Sequence, residues 1–204
     1  MKNNLIRFSV LIILFVTFLV ISISSYAHTI SLDLKDNFFR LHILANSDSD
    51  VDQSLKLKVR DNIIEYMNSL SYENMSKEDA IIVTQNNLSN FKTIAERTIT
   101  NEGFDYPVKL EIGTFYFPTK NYANISLPAG YYDGLKIEIG EAQGQNWWCS
   151  LFPPLCFVDI SSGVIDNESE DFLKENLSKD EFAIITNSSK EVKLKFKLVE
   201  LLSK

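Results

Sequence analysis

The sequence predicts an α+β domain: an N-terminal strand, two consecutive helices, then a mainly antiparallel sheet with the helices on one face. Three observations carry this. Phe39, Leu41 and Ile43 alternate near the start of the body. Apolar residues then recur at helical spacing over 55–99, and after Pro107 the period returns to two.

What precedes the strand reads as a targeting segment. Lys2 and Arg7 flank a polar start, residues 8–23 are apolar apart from Ser9, Thr17 and Ser22, and Ser25-Tyr26-Ala27 places small residues where a signal peptidase reads. Residues 1–27 are therefore expected to be a secretory signal. The alternative is an uncleaved transmembrane anchor, since a tilted helix over 8–27 could just span a bilayer. Either way the N-terminal segment engages the membrane during export and the body lies outside. Residues 28–37 are expected to be a polar tether, 38–160 the domain, and 161–204 a variable extension.

Within the domain, Phe38 to Leu44 reads as a strand with Phe39, Leu41 and Ile43 on one face and His42 in phase with Phe38 and Arg40. His42 in such a place is more often structural than functional. Asp50 with Gln53 fits a capping box, and Leu55, Val59, Ile63, Met67 and Leu70, with Tyr66 beside them, mark a helix ending near Ser69. A second, long helix starts at Ser76 with Asp79 as its capping partner and runs to Gly103. Val108, Leu110 and Ile112 alternate, then Phe115 and Phe117 resume in the other phase after Gly113, which suggests a β-bulge. A turn at Leu127-Pro128-Ala129-Gly130 leads to an alternating strand over 135–139. Gly140 and Gly144 bracket a loop expected to be mobile, and a buried strand is expected over 155–160. In the tail, a short helix is expected over 171–177 and a strand with a lysine face over 192–198.

Composition excludes some classes of function. Hydrophobic residues make up 45% and charged residues 23% of 204, an ordinary globular balance. The net charge is −7, and without Lys2 and Arg7 the rest carries 18 basic against 27 acidic side chains. No Lys/Arg run resembles a phosphate-binding stripe, so nucleic acid is not an expected partner. The acidic cluster from Asp48 to Asp52 begins like a calcium loop, but Gln53 stands at the sixth position and Val59 at the twelfth, where Gly and Glu are needed. No metal, cofactor or catalytic residue is assigned.

The two cysteines, Cys149 and Cys156, enclose Ser-Leu-Phe-Pro-Pro-Leu. In an exported body a structural disulfide is the favoured reading. A reduced buried pair, a thiol nucleophile and half of a metal site stand behind it. Trp147 and Trp148 are read together: neighbours on an extended segment point to opposite sides, so one can be core while the other is contact. With Phe152, Pro153, Pro154 and Leu155 they are the candidate partner-binding residues.

The specific sequence goes further. Phe39-Arg-Leu-His-Ile-Leu-Ala-Asn-Ser-Asp48, Leu57-Lys-Val-Arg-Asp61, Leu127-Pro-Ala-Gly130 with Tyr132, and the run from Gly144 through Trp147-Trp148-Cys149 and Phe152-Pro-Pro-Leu-Cys156 to Asp159 resemble the stage II sporulation protein R family. The resemblance runs in order over 38–159; Ala142 stands where another glycine is expected, a departure read as touching loop flexibility only. It implies a protein without catalytic activity, sent through the forespore membrane into the space between the septal membranes. There it would activate a membrane-embedded sporulation protease of the mother cell, an aspartic protease that processes the pro-sigma-E factor. The rival readings are a septal or cell-wall binding module and a small secreted thiol hydrolase.

Overall fold

The strand expected at the start of the body, Phe39–Leu44, lies inside a four-stranded sheet of the computed structural model, which describes residues 2–70, 75–122, 124–156 and 167–186. The elements are α1 (Lys2–Asp36), β1 (Phe39–Leu44), α2 (Asp50–Ser69), α3 (Lys77–Asn86), α4 (Leu88–Asn101), β2 (Val108–Phe117), β3 (Lys120–Tyr122), β4 (Ile125–Leu127), β5 (Gly130–Ile139), β6 (Asn146–Phe152), α5 (Asn167–Asn176) and α6 (Lys179–Thr186). The sheet order is β2-β5-β1-β6, and β3 pairs with β4 in a separate hairpin. β5 pairs antiparallel with β2 and parallel with β1, and β1 pairs antiparallel with β6. The α+β class stands, with a mixed sheet in which two of three pairings are antiparallel.

A central strand is covered on both faces, so β1 is buried from Phe39 to Ile43 rather than along one edge. One face joins Leu41 and Ile43 to Leu135, Ile137 and Val108, under the apolar stripe of α2 and α4 built from Val59, Ile63, Phe91, Ala95 and Ile99. The other face carries Arg40, His42, Tyr132, Phe117 and Trp148. The β3–β4 hairpin reaches that face through Tyr122, and α6 packs against β4.

Several expectations change, each for a local reason. The tether is helical: α1 runs to Asp36, and Leu34 is buried in the core, so the packed body begins ahead of Phe38. α2 is capped by Ser49, whose hydroxyl accepts from the Asp52 amide, and not by Asp50. The Asp52 carboxylate instead accepts from Ser47 Oγ (2.6 Å) and Asn46 Nδ2 (2.9 Å), and the Ser47 bond leads in holding its pKa below the usual carboxylate range. The Ser76–Asp79 capping box is present.

The long second helix is two helices broken at Asn87. Its amide donates back to the Val83 carbonyl (2.9 Å) while its Oδ1 accepts from Tyr66 Oη (2.9 Å), so the side chain competes with the helix ladder. Gly103 takes the left-handed conformation expected (φ 85°). β2 holds one-for-one register with β5 through Gly113, opposite Gly134, and has no bulge. Its apolar phase changes because Val108 is buried on the helix side while Phe117 is buried on the other. The irregularity lies in β6: Phe39 faces Phe152 and Arg40 faces Ser150, which leaves Leu151 as the extra residue.

The loop before β6 is tied down. Gln143 and Gly144 donate to the Asn46 and Ala45 carbonyls, and the Gln145 amide donates to Asp48 Oδ1 at 2.7 Å. A Cβ on Gly144 would stand 2.1 Å from the Ser47 carbonyl oxygen, so this glycine permits close approach rather than mobility. In the tail, the expected helix is α5, and α6 follows it unforeseen. Of the strand expected over 155–160, Leu155 and Cys156 are not extended ladder residues, and the rest lies outside the described residues, as does the strand over 192–198. The segment expected to be a secretory signal forms the N-terminal part of α1, with exposed apolar side chains such as Phe8, Phe15 and Phe18. Among the described residues no helix is long and apolar enough to cross a membrane.

Candidate functional site

β6 is an edge strand, and its double tryptophan sits between the two faces of the sheet. Trp147 lies opposite Ile43 and Trp148 opposite His42, so the two rings point to opposite sides, as adjacent strand residues must. Both are half-buried, so each divides its surface between packing and solvent. Trp147 turns toward α2, where the Arg60 guanidinium stands 4.2 Å from its ring centre. Trp148 stacks on His42 with ring centres 3.8 Å apart and planes inclined by 21°, and its edge meets Phe117 at 5.0 Å.

Beyond the tryptophans the chain turns inward. Cys149 and Cys156 place their sulfurs 2.18 Å apart with Cα atoms at 5.1 Å, a bonding arrangement. Leu155 N donates to the Ser150 carbonyl (3.1 Å), and Ser150 Oγ donates to the Phe152 carbonyl (3.0 Å). The Phe152–Pro153 peptide is cis. Phe152 is buried and meets Phe172 of α5 edge to face at 5.2 Å; Pro153 and Leu155 are buried as well. Of the six residues expected to bind a partner, Trp147, Trp148 and Pro154 therefore present surface, while Phe152, Pro153 and Leu155 form the floor beneath them.

Electrostatics add what the sequence did not make visible. Lys56, nearly buried, donates to the Gln145 carbonyl (2.9 Å) and joins α2 to the loop before β6. Its burial, with Arg60 nearby, lowers its pKa. Burial likewise lowers the pKa of His42, with Lys136 acting in the same direction and the Asn146 side chain and Glu138 opposing it. Arg40, two residues before His42 on the same face, is wholly buried. The only sequence signal for this pair was two basic side chains in phase within an otherwise apolar strand. Among the described residues no group of three or more His, Cys, Asp or Glu is placed to hold a metal. Of the carboxylates that suggested a calcium loop, Asp52 accepts from Ser47 and Asn46 and Asp48 fixes the Gln145 amide.

Comparison with known proteins bears on residues 35–162, which match the family model described as Stage II sporulation protein R. Among curated proteins, Stage II sporulation protein R of Bacillus subtilis (strain 168) is 42% identical over 138 residues, which cover 68% of this chain and 62% of that protein. The match thus spans a little under two thirds of that relative's length. No solved structure matches.

Proposed function

The chain belongs to the stage II sporulation protein R family, and from that premise we propose that it is an exported signalling protein without catalytic activity of its own. Residues 1–27 direct it through the forespore membrane, and it acts in the space between the septal membranes. There it switches on a membrane-embedded aspartic protease of the mother cell, which then processes the pro-sigma-E factor. The observation that carries this reading is the family match over the residues that build the sheet and the Trp147–Trp148 edge.

Activation by binding requires only that the protein favour the protease's active arrangement. A tenfold bias needs about 1.4 kcal/mol of differential affinity. Trp147 and Trp148 suit this role because a large ring held by packing loses little freedom on docking. Their footing is firm: one ring is held by Arg60 and the other by His42, on a strand closed at its end by the cysteine pair.

The test is complementation. Expressed in the forespore of a Bacillus subtilis strain lacking its own stage II sporulation protein R, the chain should restore pro-sigma-E processing. A well-secreted chain that leaves processing absent counts against the function. Trp147→Ala and Pro154→Ser proteins that fold and are secreted should lose processing; normal processing by both moves the docking site, with the α2 surface over 56–60 tested next. Retention on peptidoglycan without any crosslink from position 147 to a protease would favour the wall-binding alternative.

A further inference from the structure

The face of the sheet away from α2 holds a cation with no counter-charge among the described residues. Arg40 is 0% exposed, with its Cζ 4.3 Å from the Phe117 ring centre and 4.9 Å from that of Tyr132. Its Nη2 donates to the Tyr122 hydroxyl at 3.1 Å, whereas Nε and Nη1 have no acceptor among the described residues. Among the described residues His42, 8% exposed, makes no well-formed hydrogen bond through either ring nitrogen, and the Asn146 side chain is the polar group that acts on the ring. Phe117 links the two: it touches the guanidinium on one side and meets the His42 ring at 6.1 Å and the Trp148 ring at 5.0 Å.

Such an arrangement is unusual because a buried charge is costly unless paired and hydrogen-bonded. Aromatic faces and one phenol oxygen solvate the guanidinium only in part, since they leave most of its five N–H groups unused. The charged neighbours do not make up the difference. Lys136 of β5 lies beside His42 in register and is paired with Glu111 of β2 and Glu138, each at 3.2 Å. β6 contributes Asn146 and Trp148 to this face, neither of them charged, and the hairpin contributes Tyr122.

We propose that Arg40 and His42 form a binding site for a carboxylate, walled by Phe117, Tyr132, Tyr122 and Trp148. A carboxylate matches the planar donor geometry of a guanidinium and is the group that compensates its charge. A protonated His42 adds a second donor to the same ligand. Entry is on the Trp148 side, because Trp148 and Lys136 are the half-buried members of the rim while Arg40, Phe117, Tyr122 and Tyr132 are buried. The carboxylate is either a free one or an Asp or Glu side chain of a bound segment. This assignment stands independently of the protease reading.

The experiment follows the His42 ring resonances of the full chain by NMR, with His28 as the internal control. Sodium acetate is titrated against sodium chloride at equal ionic strength, and in a second arm the blocked peptide acetyl-Ala-Glu-Ala-amide is used. Saturable movement of His42 but not His28, with a rise in the pH at which His42 titrates, is the expected result. Response to acetate assigns a free carboxylate; response to the peptide alone assigns a side chain. Arg40→Met should weaken the effect at least tenfold. Tyr122→Phe, which keeps the shape and removes the guanidinium's one acceptor, should tighten binding severalfold. The proposal is overturned if neither ligand moves His42, or if binding is unchanged or weaker in folded Tyr122→Phe protein.

Discussion

Arg60 of α2 lays its guanidinium 4.2 Å from the centre of the Trp147 ring, which ties α2 to the edge strand β6. The same side chain bonds Asp61 through Nε at 2.7 Å, so its plane is held from behind. Arg60→Ala removes both the cation–π contact and the apolar stem over the indole. A loss of about 1 kcal/mol in urea unfolding is expected, with Arg60→Lys recovering part of it. An unchanged midpoint would mean that the contact carries no stability.

Ala142 adopts φ 54°, the left-handed region that residues with a Cβ enter at a cost of roughly 1–2 kcal/mol. Its departure from the expected glycine therefore concerns backbone conformation and not loop flexibility alone. Ala142→Gly relieves that cost but loosens the unfolded chain, for a net gain of up to about 1 kcal/mol. Thermal unfolding should move to higher temperature; a fall would contradict the conformation.

His42 couples stability to pH. Burial depresses its pKa in the folded protein, so the unfolded chain takes up a proton first as pH falls. Its contribution is complete above the unfolded value of about 6.5, declines as pH drops through it, and levels off below the lowered folded value. Denaturant unfolding between pH 8 and pH 5 should show this decline in the wild type. In His42→Gln the slope near pH 6 should be smaller, and equal slopes would remove His42 as the source.

With export as proposed, Cys149 and Cys156 should be bonded, since the placement of their sulfurs permits it and an extracytoplasmic compartment favours oxidation. Closing so short a ring restricts the unfolded chain by roughly 2–3 kcal/mol. The Cys149→Ser/Cys156→Ser double variant should lose about that much, and thiol labelling of the denatured, unreduced protein should find none free. Two labelled thiols would refute the bond.

What the sequence determined by itself was whatever is local. The 3.6-residue spacing of Leu55, Val59, Ile63 and Met67 marks α2 and its buried face, because that spacing must face a core whatever else surrounds it. The Ser76–Asp79 cap and the left-handed Gly103 were legible for the same reason: their partners lie within a few residues. So was the family, through the string around Trp147 and Cys156. Tertiary structure decided everything that depends on residues far apart in the chain. β1 became a central strand because β5 and β6 close on it from both sides, and that buried Arg40 and His42 together with its apolar residues. The phase change in β2 reflects coverage on opposite faces at its two ends, which no local pattern distinguishes from a bulge. Asn87 ends a helix through Tyr66, 21 residues away, and Gly144 is required by the Ser47 carbonyl across the loop. Burial likewise sorted the candidate site, placing Phe152 and Leu155 beneath and leaving Trp147, Trp148 and Pro154 at the surface. Periodicity records which side of an element is apolar, whereas burial depends on what the whole chain brings to that side.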